Sequence, residues 1–420
     1  MRIIVAPDKF KGSAEADEVA AALAAGLRSA ATAAAGIDVV EIPVADGGEG
    51  TVAAALGAGF AARTLTVTGP AGDAVTAAYA LRGATAVIEM SQASGLDLLP
   101  RDRHGQRLLD PLGATSHGTG ELIAHALSQG ARRIVLGVGG SACTDGGAGM
   151  LTALGARFLD ADGQLLGPGG GPLRALSRVD LSGVLPEAVR ATIVLASDVD
   201  NPLLGEHGAA AVFGPQKGAG PAEVTALDRG LERLRDALGE VLGPDAVQAA
   251  RSPGAGAAGG MGYGALTVLG ALRRPGIDVV LEFTRLRERI RGADLVITGE
   301  GSLDAQSLRG KTPLGVLRCA QEETIAVVAV CGRSLLPAEQ LHEAGFAAVH
   351  ALRDRAPDAR TSMAEAPRLL REVGAEIGRR LTEPRGPAPT TAPVATGTVE
   401  DGSRMRRPSI PLTDPTSTRT

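Results

Sequence analysis

Lys9, Lys11, Lys217 and Lys311 are the only lysines in a chain of 420 residues, and arginine supplies the rest of its 42 basic side chains. Each lies in a glycine-containing loop: "APDKFKGS" at 6–13, "GPQKGA" at 214–219 and "TGEGSLDAQSLRGKTP" at 298–313. An ammonium in such a loop is a compact point charge suited to phosphate. Glycines let successive backbone N–H groups converge on an anion at a helix start. The loop "GVGGSACTDGGAGM" at 137–150 has that form. Acids occupy the same kind of loop: Asp8, Asp46 and Glu49 in "VADGGEGT" at 44–51, Asp145, Asp198 and Asp200 in "SDVDNPLLG" at 197–205, and Glu300 and Asp304. Carboxylates beside a phosphate repel it unless they hold Mg2+ or accept a proton from an attacking hydroxyl, and phosphoryl transfer requires both jobs. Lysines, acids and glycine nests together point to nucleotide-dependent phosphoryl transfer.

The elements that must position these loops are strands and helices in alternation. Runs rich in Val and Ile, such as "RIIVA", "VVEIPV", "RRIVLGV", "ATIVLAS", "ADLVITG" and "TIAVVAV", alternate with Ala/Leu-rich stretches of helical period. This predicts α/β layers with largely parallel sheets, in which ligands gather at the C-terminal strand ends. A first helix is predicted to run to Arg28, with Ser13 as its N-cap and Glu15, Asp17 and Glu18 at the positive end of its dipole. A second helix is predicted from near Gly146. "AVTAAYAL" and "TAVIEM", within 69–112, read as antiparallel strands of a second layer. Beyond Leu381 the chain is rich in Pro, Thr and Ser and is expected to be a disordered tail over 384–420.

Other chemistries fit less well. Aromatic residues are 2% of the chain, Trp is absent and the net charge is -5, which argues against nucleic-acid partners. Cys143, Cys319 and Cys331 are widely spaced with no CxxC pair, which suits a reducing cytoplasm and no thiolate zinc site. "IIVA" is too short for a signal peptide core and "IAVVAV" for a membrane span. A P-loop needs Gly where Ala305 stands, and "GAGAAG" at 254–259 follows no strand. "GVGGSA" at 137–142 follows a strand, but its helix begins too late to receive a pyrophosphate. No GxSxG elbow is present, and the six histidines have no metal-pair spacing.

Taken in order, "APDKFKGS", "PVADGGEGT", "GVGGSACTDGGAGM", "DVDNPLLG", "GPQKGA", "GAGAAGGMGYGAL" and "TGEGSLDAQSLRGKTP" resemble the bacterial type-1 glycerate kinases, which phosphorylate D-glycerate with ATP. The resemblance implies two unlike α/β domains. One is flavodoxin-like and discontinuous, placed at 1–68 and 279–383; the other is inserted, at 69–278. It further implies Mg-ATP, an interdomain cleft and a phosphoglycerate product, more often 2-phosphoglycerate. The chain departs from the family at Thr144, where Asn is expected and an amide contact to phosphate or substrate is lost, and at Ala14, where Leu is common.

On this reading Lys9 and Lys11 bind the glycerate carboxylate or the transferring phosphate, and the base is Asp8, Asp198 or Asp200. Substrate contacts are expected at Ser13, Asp46, Gly47, Gly48, Glu49, Asn201 and Lys217. Nucleotide contacts are expected at Gly139, Gly140, Ser141, Asp145, Gly299, Glu300, Ser302 and Lys311, with metal at Glu300 and Asp304. Small molecules are the expected partners, with no nucleic acid and no membrane; a homodimer is left open. A metal-dependent phosphohydrolase and a non-catalytic sensor of sugar acids or nucleotides are the competing functions.

Overall fold

The computed structural model describes residues 1–30, 36–305 and 307–383; the expected tail at 384–420 lies outside the described residues. Residues 1–382 make one compact unit containing two principal sheets.

The first sheet is wholly parallel. Its strands, Arg2–Pro7, Asp38–Glu41, Leu295–Leu303, Val327–Ser334 and Ala348–Ala351, lie in the order second, first, third, fourth, fifth. That order is flavodoxin-like, and its switch point, where ligands bind, lies between the first and third strands. Both faces are apolar, so the strands read as continuous hydrophobic runs. Ile3, Val5, Ile297 and Val330 pack against the helices Ala16–Ser29 and Ala366–Thr382. Ile4, Ala6, Val296 and Ala329 point the opposite way, toward helices Thr51–Gly57, Gly276–Phe283 and Thr312–Glu322.

The second sheet is mixed. Leu272–Arg274, Thr192–Ala196, Arg133–Gly137 and Thr85–Glu89 are parallel, and Ala74–Arg82 and Ala61–Thr68 continue it antiparallel. Ala80, Val87, Val135 and Val194 from one face of this sheet join the same apolar cluster as Ile4 and Val296. Buried apolar side chains therefore tie the two sheets together, and the loops between them are anchored at both ends.

Two local expectations are corrected. Ser13 does not cap the first helix: that helix starts at Ala16, and the Glu18 carboxylate accepts the Glu15 N–H at 2.9 Å. Ala61–Thr68, which the expected boundary at 68 assigned to the flavodoxin-like part, pairs residue for residue with Ala74–Arg82 in the second sheet. Its "AARTLTVT" pattern buries little, so hydrophobic periodicity gives it no contrast.

Candidate active site

A cavity of about 550 Å³ opens at the C-terminal ends of the first and third strands of the parallel sheet, its switch point. Asp8, Lys9, Lys11 and Ser13 reach it from the loop after the first strand. Glu300, Ser302, Asp304 and Lys311 reach it from the end of the third strand and the turn before helix Thr312–Glu322, and Asp46 from the loop after the second strand. Lys9, Lys11 and Lys311 thus share one wall system although Lys9 and Lys311 lie on opposite sides of the inserted sheet in sequence.

The acids of this floor are buried and crowded. Asp8 is 7% exposed; its Oδ1 accepts the Lys9 N–H at 2.6 Å and its Oδ2 the Thr312 hydroxyl at 2.8 Å. Burial, reinforced by the charges of Asp46 and Glu300 and only partly offset by those two hydrogen bonds, raises Asp8 to about 7. Glu300 is 8% exposed, and its Oε1 is buried with no hydrogen-bond partner. Burial raises it to about 7 as well, with Asp304 and Asp46 adding to the rise and Ser307 and Lys311 opposing it.

Glu49 leans the other way. Its Oε2 pairs with Lys9 Nζ at 2.5 Å, and the charges of Lys9, Lys11 and Arg107 outweigh its own burial to hold it below the usual carboxylate range. Gly139 and Gly140 abut this group. A Cβ on Gly140, whose φ is +72°, would stand 2.6 Å from Glu49 Oε1, so only glycine lets the loop close on the carboxylate. On the other side Gly47 touches Gly276, which donates its N–H to Asp198 Oδ1 at 2.8 Å. Gly48 donates to Asp46 Oδ1 at 3.1 Å. Asp198, raised to about 6 by burial and by Asp46, stands behind Asp46 and not on the cavity wall.

Several expected site residues are placed elsewhere. Lys217 is 1% exposed and donates to the Cys143 carbonyl at 2.5 Å, inside the second sheet's core region. Asp145 is fully buried; its carboxylate accepts the Ser116 N–H and hydroxyl and the Gly147 and Gly149 N–H groups, which fixes the start of the six-residue helix Ala148–Ala153. That helix begins two residues later than Gly146. Ser141 is buried in a bridge with Gly95. Asp200 is exposed and paired with Arg273, and Asn201 donates to the His207 carbonyl. Gly299 sits within the third strand, where its carbonyl accepts the Asp8 N–H at 2.8 Å. Thr144 is fully buried with an unpartnered hydroxyl, so the departure from the expected Asn falls in the packing behind the loop and not on the cavity wall. For Lys217, Asp145, Ser141 and Thr144 the cause is the same: a polar residue in a glycine loop reads identically whether the loop turns outward or folds under the sheet.

Other residues on or near the site were not anticipated. Glu89, 3% exposed at the end of its strand, accepts the Val52 N–H at 2.5 Å and so anchors helix Thr51–Gly57, which follows the Asp46–Glu49 loop. Thr312 holds Asp8. Arg333 and Arg353 line the far wall of the cavity. Their signal in the sequence was position alone, at the ends of "TIAVVAV" and of the short strand after it.

Two buried acids with raised values make stability depend on pH. Folded Asp8 and Glu300 hold protons that the unfolded chain releases, so their contribution is complete below about pH 4 and is lost as pH rises through about 7. The unliganded protein is expected to melt at lower temperature at pH 8 than at pH 5.5. Glu300→Gln removes its share, roughly 3 kcal/mol from the rise of 4.5 to about 7, and raises Tm at pH 8. Parallel Tm profiles for the two proteins would refute this placement of charge.

Comparison with known proteins agrees with the chemistry of these loops. The model of the glycerate kinase family matches residues 3–382. The chain is 45% identical over 352 residues to the glycerate 2-kinase of Escherichia coli K12, covering 83% of this chain and 90% of that protein. It is 44% identical over 356 residues to the glycerate kinase of Bacillus subtilis 168, with 84% and 90% covered. The crystal structure assigned to a glycerate kinase 2 from Salmonella typhimurium LT2 superposes with a TM-score of 0.77 at 40% identity, over 91% of this chain and 98% of that one. Family match, relatives and fold concur: the chain belongs to the glycerate kinase family.

Proposed function

We propose that the protein transfers the γ-phosphoryl group of ATP to a hydroxyl of D-glycerate in the cavity at the switch point, giving 2-phosphoglycerate. The observation that carries this reading is the meeting of Lys9, Lys11 and Lys311 with Asp8, Asp46 and Glu300 around one opening. Cations there screen the transferring group while a carboxylate takes the hydroxyl proton, the two requirements of phosphoryl transfer. The name of the Escherichia coli relative favours the 2-hydroxyl. The two sheets are taken as two domains, with the strand Ala61–Thr68 on the inserted side. The cytoplasm, which suits three buried free cysteines, is the proposed compartment.

Asp8 is the proposed base. It lies on the cavity floor at about 7, where a carboxylate is both partly ionised and basic enough to accept a proton at neutral pH. Asp198 stands off the wall, and Asp200 is engaged with Arg273 at the surface. Lys9, held by Glu49, and Lys11 receive the glycerate carboxylate.

Mg2+ fits Glu300 and Asp304. Glu300 Oε1 is a buried acceptor without a partner, and the neighbouring Asp304 adds to the rise of Glu300. Among the described residues no group of three or more His, Cys, Asp or Glu could hold a metal by itself. Kinase sites need no such cage, because Mg2+ takes one or two carboxylates and completes its shell with phosphate oxygens and water. Bound there, it would supply charge neutralisation at the phosphate oxygens.

Incubation with ATP, Mg2+ and D-glycerate, with ADP release followed and the product resolved by ³¹P NMR, is the direct test. Glycerate-dependent ADP and a 2-phosphoglycerate resonance are expected. ADP without glycerate would indicate a phosphohydrolase; tight binding without turnover would indicate a sensor.

A further inference from the structure

We infer that Arg333 and Arg353 form a clamp for the polyphosphate of the nucleotide, facing the glycerate end of the cavity across its opening. The inference rests on the phosphoryl-transfer reading above and deepens it by placing the nucleotide's charged tail. Neither residue falls within the glycine loops, and three observations single them out.

Both project from the right place. Arg333 lies near the end of the strand Val327–Ser334, and Arg353 in the turn Leu352–Arg355 that follows the strand Ala348–Ala351. These are adjacent parallel strands, and their C-terminal ends open on the same cavity as Asp8 and Lys9.

Both are held but uncommitted. Arg333 Nε donates to Ser302 Oγ at 3.2 Å, and Arg353 Nη1 donates to the Ala356 carbonyl at 2.8 Å. Among the described residues neither makes an ion pair, whereas Arg355, two positions on from Arg353, is paired with Glu376. Asp358, the acid that senses Arg353, is already engaged by the Thr361 N–H at 2.7 Å. A guanidinium anchored by one nitrogen keeps its remaining donors for a planar or tetrahedral oxyanion.

The charge in the cavity is divided. Asp8, Asp46 and Glu300 crowd the floor at the first and third strands, so a triphosphate cannot lie along that side without cations between. Among the described residues the Arg333–Arg353 wall has no carboxylate of its own on the cavity surface. Lys311, at the start of helix Thr312–Glu322, joins Lys9 and Lys11 as a cation on the floor side. A polyphosphate anchored on the two arginines therefore brings its terminal phosphate toward Lys311 and Asp8, in line with a glycerate hydroxyl.

Arg333→Met, Arg353→Met and the double variant test the clamp, with KM for ATP and for D-glycerate measured separately. Binding of inorganic tripolyphosphate and of ADP by calorimetry provides a readout independent of turnover. Each single variant is expected to raise KM for ATP roughly 10- to 100-fold and weaken tripolyphosphate similarly, with KM for glycerate within about twofold of wild type. Arg333→Lys keeps the charge but loses the fork and is expected to fall between. Both side chains are exposed, so the melting temperature should not move. Wild-type KM for ATP and wild-type tripolyphosphate binding in the double variant would overturn the clamp, as would a rise confined to KM for glycerate. Wild-type protein inactive on glycerate would instead overturn the functional reading, and tripolyphosphate binding would still report on the arginines.

Discussion

Asp8→Asn is expected to lower kcat by roughly 10²- to 10⁴-fold, the range a positioned general base contributes. The substitution is nearly isosteric, and the local hydrogen bonds survive it. The Lys9 N–H still finds the amide oxygen at the position of Oδ1, and the Thr312 hydroxyl, which now donates to Oδ2, turns to accept from the amide nitrogen. Only the ability to receive a proton is removed. Because Asp8 is an acid buried near Asp46 and Glu300, the asparagine protein should also be the more stable one above pH 7. Lost turnover with a raised Tm cannot be confused with misfolding. In the wild type kcat/KM should rise with pH through about 7, since the base must be ionised to work. Asp200→Asn breaks only an exposed pair with Arg273 and should leave kcat within about twofold. An Asp8→Asn protein that keeps a tenth or more of wild-type kcat would remove Asp8 from the base role.

The position of Asp8 was legible in the sequence because two independent signals coincide there. "RIIVAP" is a buried strand that ends at a proline, and the polar run "DKFKGS" follows at the strand's C-terminal end, where open α/β sheets bind ligands. "ADLVITG" followed by "EGSLD" repeats the logic, and the two strands turn out to be neighbours in parallel register, Ala6 opposite Thr298 and Pro7 opposite Gly299. What local sequence does not encode is which side of the chain a loop presents. "GVGGSACTDGG" and "GPQKGA" combine glycines with a charged residue as the cavity loops do, yet their Asp145 and Lys217 are enclosed by the helices of the second sheet. That enclosure is decided by packing among segments such as Leu227, Leu231 and Leu234, some ten residues or more from the lysine in sequence. Arg333 and Arg353 escaped for the opposite reason: arginine is common in this chain, so two more at strand ends carry no contrast, while four lysines do.

Lys217 therefore gives the largest expected effect on folding. It is a buried ammonium raised toward its normal range by Cys143 and Asp145 but brought down to about 8 by burial, with one strong hydrogen bond to the Cys143 carbonyl. Lys217→Ala deletes the stem from a closed core, strands that carbonyl without a donor and removes a cation whose charge Asp145 senses. Cavity and unsatisfied acceptor together are expected to cost about 3–5 kcal/mol. Lys217→Met keeps the stem volume and should cost less than half as much, because filling the space with an apolar chain avoids the desolvation of an ammonium. Urea unfolding of both variants measures the difference. Lys217 does not line the cavity, so at temperatures where the methionine protein is folded its KM for glycerate should remain near wild type. A large rise in that KM with little loss of stability would return Lys217 to the substrate site, whereas the reverse pattern fixes it as an interior brace for the loop that backs Glu49 and Lys9.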